Sequence, residues 1–342
     1  MDHRFSELSR HMQEQHLRSL ALSILKQYGA MPDSVQLLQY EDNAVYLVVR
    51  NGKSYVLRIS VVDGRSPAAQ ASELEWLLSL AAEKTTVVPT PVATRSSELV
   101  VTSALNGSDE PVTSALFEWI PGAAPRHFGP ELAAELGRVM ARLHEHASGY
   151  RPSAPFERPA WGHQEVFDLG ATMTSELAWS RLTSADRSML REVSKKVRDR
   201  MPTVGDDWAL IHADLHRGNV VVMPTGEVAV IDFDDCGWGH YMLDIATMLS
   251  SILRTCLDDR DEYARLAAEY LAGYREVRNL PASSSALNEF LVLRDMIILN
   301  FMVSSRNDAV VAYMPQRGNG ILALMCRYLR TGLYDGFVSL EV

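Results

Sequence analysis

At 342 residues, 47% apolar and 22% charged, the chain is of ordinary composition and long enough to pack two lobes with cores of their own. A formal net charge of −10 argues against the phosphate-neutralising face that nucleic acids require, so an anionic ligand must be met by local cations and no nucleic-acid partner is expected. The opening MDHRFSELSRHMQEQ lacks the apolar centre of a signal peptide, and no stretch approaches the ~20 apolar residues of a membrane span, so a cytoplasmic protein without a membrane partner is expected.

Residues ~12 to 28 carry helical periodicity, and SVQLLQYEDNAVYLVVRNGKSYVLRIS then alternates as strands around Asn51-Gly52, a strong hairpin signal. A helix follows in AAQASELEWLLSLAAE, with Ala71, Leu74, Leu77, Leu78 and Ala81 on its expected apolar face. Beyond VVPTPV two more strands run to ALFEWIPGAAP, where Pro121-Gly122 ends the strand and marks the expected boundary between residues 1–120 and 121–342. From Pro130 onward helices dominate, at ~131–147, 165–180, 184–200, 241–256, 261–278, 285–304 and 319–330, with strands only in 209–233. Cys236, Cys256 and Cys326 are odd in number and far apart, without metal spacing or a disulfide framework, and are read as small packing residues.

The exception at 209–233 begins LIHADLHRGNVVV, with two histidines, an aspartate and an asparagine at the mouth of an apolar strand. NVVVMPTGEVAVID is a hairpin pattern. A turn centred on Thr225-Gly226 pairs Val222 with Ala229 and Val220 with Ile231, and one step on brings Asn219 opposite Asp232. Two oxygen-bearing side chains so placed suit one hard cation such as Mg²⁺ together with substrate phosphates.

HADLHRGN followed by IDFDD resembles the catalytic loop and metal-binding motif of the aminoglycoside phosphotransferase and choline kinase group of small-molecule kinases, relatives of the protein kinases. Residue types and spacings both agree. The resemblance implies an α+β, two-lobed protein-kinase-like fold with a small antiparallel-sheet N-terminal lobe for the nucleotide and a mostly helical C-terminal lobe for catalysis and the acceptor. YVLRI resembles the strand bearing the phosphate-binding cation, here Arg58, and SELEWL supplies Glu73 as its partner. LFEWIPG resembles the lobe-connecting hinge, whose backbone from Glu118 to Ile120 meets the adenine, and WGHYMLDIATML the helix whose Asp244 braces the catalytic loop.

The resemblance further implies an ATP- and Mg²⁺-dependent transfer of the γ-phosphoryl group to a small hydroxylated acceptor: an amino alcohol, an amino acid such as homoserine, or an aminoglycoside-type antibiotic. Asp214 accepts or orients the hydroxyl proton, Asn219 and Asp232 hold the metal, Arg58 forks across phosphates, and His216 takes the place of a catalytic-loop lysine. His212 is expected to shape the loop. There is no G-x-G-x-x-G near QYEDNAVY, so Asp42-Asn43-Ala44 is left to cover the phosphates, and Ala213 stands where many protein kinases carry a regulatory arginine. Several residues have two open readings. Asp234 and Asp235 are metal or substrate contacts or a solvated turn; Trp161, His163, Trp238 and Tyr241 line an acceptor pocket or belong to the core. A protein Ser/Thr kinase and a catalytically silent nucleotide-binding regulator remain as alternatives, although only eleven residues, Phe233 to Leu243, separate Asp232 from Asp244, too few for a peptide-binding platform.

Overall fold

The computed structural model describes residues 5–29, 31–61, 66–106, 111–203, 205, 207–256 and 259–338. They form two compact units, Met1–Pro121 with Arg151–Glu157, and Gly122–Tyr150 with Arg158–Val342. The return of 151–157 to the first unit has no counterpart in the sequence-based division. Glu75 explains part of it, since its carboxylate accepts from the Ser153 N–H (2.8 Å) and hydroxyl (2.6 Å).

In the first unit, helix α1 (Arg10–Leu25) is capped by Ser9 and buries Leu17, Ala21, Ile24 and Leu25 along one stripe. Strands β1 (Ser34–Tyr40), β2 (Asn43–Arg50) and β3 (Lys53–Ser60) follow. Asn51 and Gly52 both have positive φ, 51° and 72°, which is the turn whose twist matches a two-residue hairpin. Helix α2 (Pro67–Ala82) turns a different face inward from the one expected: Gln70, Glu73, Leu74, Leu77 and Leu80 are buried, and Ala71 and Leu78 are exposed. The inward face includes Glu73 because its charge is matched inside, as described below. Strands β4 (Pro91–Val92), β5 (Val101–Ser103) and β6 (Val112–Glu118) complete an antiparallel sheet of order β1-β2-β3-β6-β4, with β5 also on β6. Leu17, Ile24, Tyr46, Leu57 and Leu116 lie in its core.

The second unit opens with α3 (Pro130–Gly149). The helix expected over 165–180 is three short pieces: a π turn at Gln164–Asp168, α4 (Ala171–Thr174) and α5 (Glu176–Arg181). Asn300 divides them, donating to the Val166 carbonyl (2.7 Å) and accepting from the Thr172 N–H (2.9 Å). Helix α6 (Ser184–Arg198) starts in a Thr183/Asp186 capping box. Strand β7 (Trp208–Ile211), the ribbon of β8 (Val220–Val222) and β9 (Val228–Val230), and β10 (Gly237–His240) come next. The sequence reading lacks β10, because Gly-Trp-Gly-His has little strand propensity; pairing with β7 and a bridge from Ala160 to Trp238 impose it. Helices α7 (Tyr241–Thr255), α8 (Arg260–Arg275), α9 (Leu287–Ser304), α10 (Asp308–Val311) and α11 (Asn319–Thr331) finish the unit.

Helices α3 and α8 touch backbone to backbone. A Cβ on Gly137 would lie 2.0 Å from the Tyr270 carbonyl oxygen, and one on Gly273 2.0 Å from that of Ala134. Of the cysteines, Cys236 is buried and Cys256 partly so, but Cys326 is exposed, which corrects the packing role expected for it. Helix α11 buries Ile321, Met325 and Tyr328, leaving Cys326 on the other face. No helix among the described residues is long and apolar enough to cross a membrane.

Candidate active site

The first unit brings Arg58 and Glu73 together. Arg58, on β3, donates from both terminal nitrogens to the two Glu73 oxygens on α2, at 2.9 and 2.6 Å, and both residues are buried. A bidentate guanidinium–carboxylate pair fixes both side chains and compensates two charges that could not be buried singly. The guanidinium also lies 5.4 Å from the Phe117 ring centre. Asn43 opens β2 opposite Ser60, so that of Asp42-Asn43-Ala44 only Asp42 lies in the hairpin loop. Glu118 ends β6 opposite Tyr55, its N–H bound to the Thr90 carbonyl (2.9 Å), and Ile120 follows half-buried.

The second unit gathers Asp214, His216, Asn219 and Asp232 at one end of the β8–β9 ribbon. Asn219 donates its amide nitrogen to the Asp214 carbonyl (3.0 Å), which leaves the amide oxygen as the atom available to a cation. The ribbon register differs from expectation by one residue: Val220 pairs with Val230, Val221 with Ala229 and Val222 with Val228. The cause is the turn. Three residues, Pro224 to Gly226, separate Met223 from Glu227, and Gly226 takes φ 88°, so a three-residue loop with a left-handed glycine replaces the two-residue turn. Asn219 therefore faces Ile231, whose N–H reaches its carbonyl (3.0 Å), and Asp232 is the next residue, exposed and itself at φ 65°.

Asp214 has a partner that sequence reasoning missed. Arg294 of α9, buried, donates from its guanidinium to one Asp214 oxygen, while His216 Nε2 lies 3.6 Å from the other. Burial works to raise the Asp214 carboxyl, but Arg294, His216 and His212 outweigh it and hold the group below the ordinary carboxylate value. His216 Nδ1 accepts the Gly218 N–H (2.9 Å), placing its proton on Nε2, and burial lowers its pKa against the pull of Asp214. A neutral imidazole cannot supply the charge of a lysine; Arg294 supplies a permanent one. The signal was present in LVLRDMIIL, an apolar helix interrupted by adjacent charges, which requires buried partners for both.

Behind the loop is a chain of hydrogen bonds. The buried Asp244 carboxylate accepts the N–H groups of His212 (2.9 Å) and Ala213 (2.7 Å), and holds Ala213 at φ 65°. His144 of α3 lies with Nε2 3.2 Å from the same carboxylate and Nδ1 2.9 Å from the Tyr274 hydroxyl of α8. Burial lowers the His144 pKa, so the ring is neutral, giving Nε2–H to Asp244 and accepting from Tyr274. His212 bonds the Ile231 carbonyl (3.1 Å), tying loop to ribbon. The Gly137–Gly273 approach is what brings Tyr274 within reach of His144.

Other residues with open readings have structural partners. The Asp234 and Cys236 carbonyls accept from Arg158 and that of Asp235 from the Trp161 indole, so these contacts shape the turn after Asp232. His163 bonds Ser194 and stacks on Phe167; Tyr241 is buried against His144. The Trp238 backbone pairs with Pro159 and Trp161. No group of three or more His, Cys, Asp or Glu side chains among the described residues could hold a metal by itself. The Asn219 amide and Asp232 carboxylate are hard oxygen donors that fit Mg²⁺ when phosphates supply further oxygens.

A model of the phosphotransferase enzyme family, APH, matches residues 35–282. The chain is 27% identical over 296 residues to an amicoumacin kinase of Bacillus subtilis (strain 168), covering 84% of this chain and 85% of the relative. The structure of a microcompartment-associated aminopropanol kinase is 29% identical with a TM-score of 0.77, covering 94% of this chain and 100% of that one. The amicoumacin kinase hAmiN, in complex with AMP-PNP, Ca²⁺ and Ami, shares the fold with a TM-score of 0.74 at 21% identity, covering 92% of this chain and 96% of that one. The chain belongs to the phosphotransferase enzyme family and is an ATP-dependent small-molecule kinase with the protein-kinase-like α+β fold.

Proposed function

We propose that Asp214 orients the acceptor hydroxyl and takes its proton as the γ-phosphoryl group transfers, with Asn219 and Asp232 holding Mg²⁺. The observation that carries this reading is the fixed Asp214 carboxylate beside Asn219, at the end of a ribbon that leads directly to Asp232. Transfer of this kind depends chiefly on positioning and charge neutralisation, and a carboxylate of low basicity suits a proton taken late. Magnesium, when bound, neutralises triphosphate charge that an acidic chain cannot. Arg58, kept in place by Glu73, meets nucleotide phosphates, the Glu118–Ile120 backbone meets adenine, and Asn43 assists at the phosphates. His216 orients Asp214 as a neutral donor. In this reading the first unit is the nucleotide-binding lobe and the second the catalytic and acceptor-binding lobe.

The acceptor is a small molecule and not a protein, as supported by the segment after Asp232. The turn, β10 and the start of α7 consume Phe233 to Leu243, leaving no platform for a peptide. The test compares initial rates, at fixed ATP and Mg²⁺, on a generic protein substrate and on a pool of amino alcohols, amino acids and aminoglycosides. Transfer to small molecules alone is expected; stoichiometric protein phosphorylation without small-molecule turnover would overturn the reading.

A further inference from the structure

Beside Asp214 the second unit contains a cleft of ≈ 400 Å³ whose walls include His216, Arg217, Ser251, Arg254, Arg294 and Arg317. Four arginines converge there in a chain of net charge −10. Two are already neutralised: Arg294 by Asp214, and Arg317 by Asp295 at 3.0 Å. The other two have no carboxylate partner among the described residues. Arg217 donates to the Pro125 carbonyl (3.0 Å) and Arg254 to the Ser250 hydroxyl (2.7 Å), both uncharged acceptors. Cations normally avoid one another, and a concave wall with two guanidinium groups that make no ion pair among the described residues has the composition of an anion site.

We propose that this cleft binds an anionic group of the acceptor, a carboxylate or phosphate monoester carried on the same small molecule as the reacting hydroxyl, with Arg254 and Arg217 as its specificity-determining residues. The inference rests on the reading of Asp214 as the residue that meets the hydroxyl. Asp214 does not itself line the cleft, but His216 and Arg294 do and both face its carboxylate, so an acceptor that spans them carries its hydroxyl toward Asp214 and its anion among the arginines. The Arg254 side chain reaches solvent, yet the surrounding protein, then Arg317 and Arg294, push the pKa of its guanidinium down to about 10 against the smaller opposing pull of Asp295 and Asp214. A bound anion would relieve that crowding. Polycationic acceptors would meet the same field as repulsion.

Acceptor pairs that differ in the anion test the proposal on the full chain with ATP and Mg²⁺: 3-amino-1-propanol against homoserine, and glycerol against glycerate and glycerol 3-phosphate. The members bearing a carboxylate or phosphate are expected to exceed their acid-free partners in kcat/KM by about ten-fold or more, equivalent to ~1.4 kcal/mol; the glycerol set, free of any amine, isolates the anion from the charge of the ammonium group. Glycerate and glycerol 3-phosphate separate a carboxylate from a phosphate. Arg254→Gln and, to a lesser degree, Arg217→Gln are expected to raise KM for the acids and erase the difference within each pair. Arg254→Lys should retain part of it, and Arg265→Gln, on an exposed position of α8, all of it. Equal rates within pairs, a preference for the acid-free members, or a preference that survives both glutamine variants overturns the cleft assignment. Calorimetric titration of the acids without ATP separates the two readings. Acid binding lost in Arg254→Gln, with no transfer to any acceptor, retains the anion cleft and removes the role given to Asp214. Transfer to alcohols with no acid binding does the reverse.

Discussion

Asp214 is pulled in two directions, and the resolution sets its pH behaviour. Burial opposes its charge, while Arg294, His216 and His212 favour it strongly enough to hold the pKa below the ordinary carboxylate value. A group with a depressed folded pKa contributes stability above its unfolded value and loses it as pH falls through the folded one. The acid limb of kcat/KM is therefore expected to lie below the ordinary carboxylate range, and Arg294→Met to move it upward; an unchanged limb in that variant would separate Arg294 from Asp214. Asp214→Asn should lower kcat by about 10²–10⁴ with KM for ATP within a few-fold, since the side chain is argued to act on the acceptor. Steady-state kinetics with each substrate varied checks this. At the proposed metal site, Asp232→Ala should raise the Mg²⁺ requirement steeply and Asn219→Ala less so. Their double-mutant cycle should show coupling, and strict additivity would remove the shared ion.

Two contacts between elements decide whether these residues are presented correctly. The Arg58–Glu73 pair joins β3 to α2 at buried positions. Glu73→Ala strands a buried guanidinium and is expected to cost about 3–5 kcal/mol in denaturant unfolding, with KM for ATP raised in whatever remains folded. The α3–α8 contact acts at longer range. Gly273→Ala pushes a methyl into the Ala134 backbone and should cost about 1–3 kcal/mol, because neither helix can yield locally. It should also reduce kcat, by loosening Tyr274 from His144 and so Asp244 from the Ala213–Asp214 turn. A variant with full activity and native stability would show that the helices can separate without disturbing the loop.

Each of the two units has its own core, the first around Leu17, Tyr46 and Leu57 and the second around Met140, Leu249, Tyr270 and Phe290. Ligand linkage should therefore be visible in thermal unfolding. Mg·ATP at about 100 times its Kd stabilises the state that binds it by ~2.7 kcal/mol. For domains of this size that corresponds to a rise in Tm of roughly 5–10 °C. The rise should shrink when Mg²⁺ is chelated and in Asp232→Ala. A shift independent of the metal in both would argue that the nucleotide is held without it.

Local chemistry was legible in the sequence wherever the determinant was local. Asn51-Gly52 announced its hairpin because only a few residue types accept two positive φ angles in succession. The spacing of Asp214, Asn219 and Asp232 pointed to residues gathered at one end of a ribbon, where the structure places them, because a strand turns such spacing directly into position. Apolar periodicity placed the long helices for the same reason. Where the outcome depended on a distant partner, sequence was insufficient. The apolar face of α2 was misjudged because Arg58, fifteen residues away, makes Glu73 an interior residue. The ribbon shifted by one because Gly226 chose a three-residue loop over a two-residue one, a difference smaller than propensities resolve. Arg294 lies eighty residues from Asp214 and His144 a hundred from Asp244. Nothing within either segment specifies such a partner, since a buried charge states only that it must be compensated. Which residue compensates it is decided by the packing of α3, α7, α8 and α9.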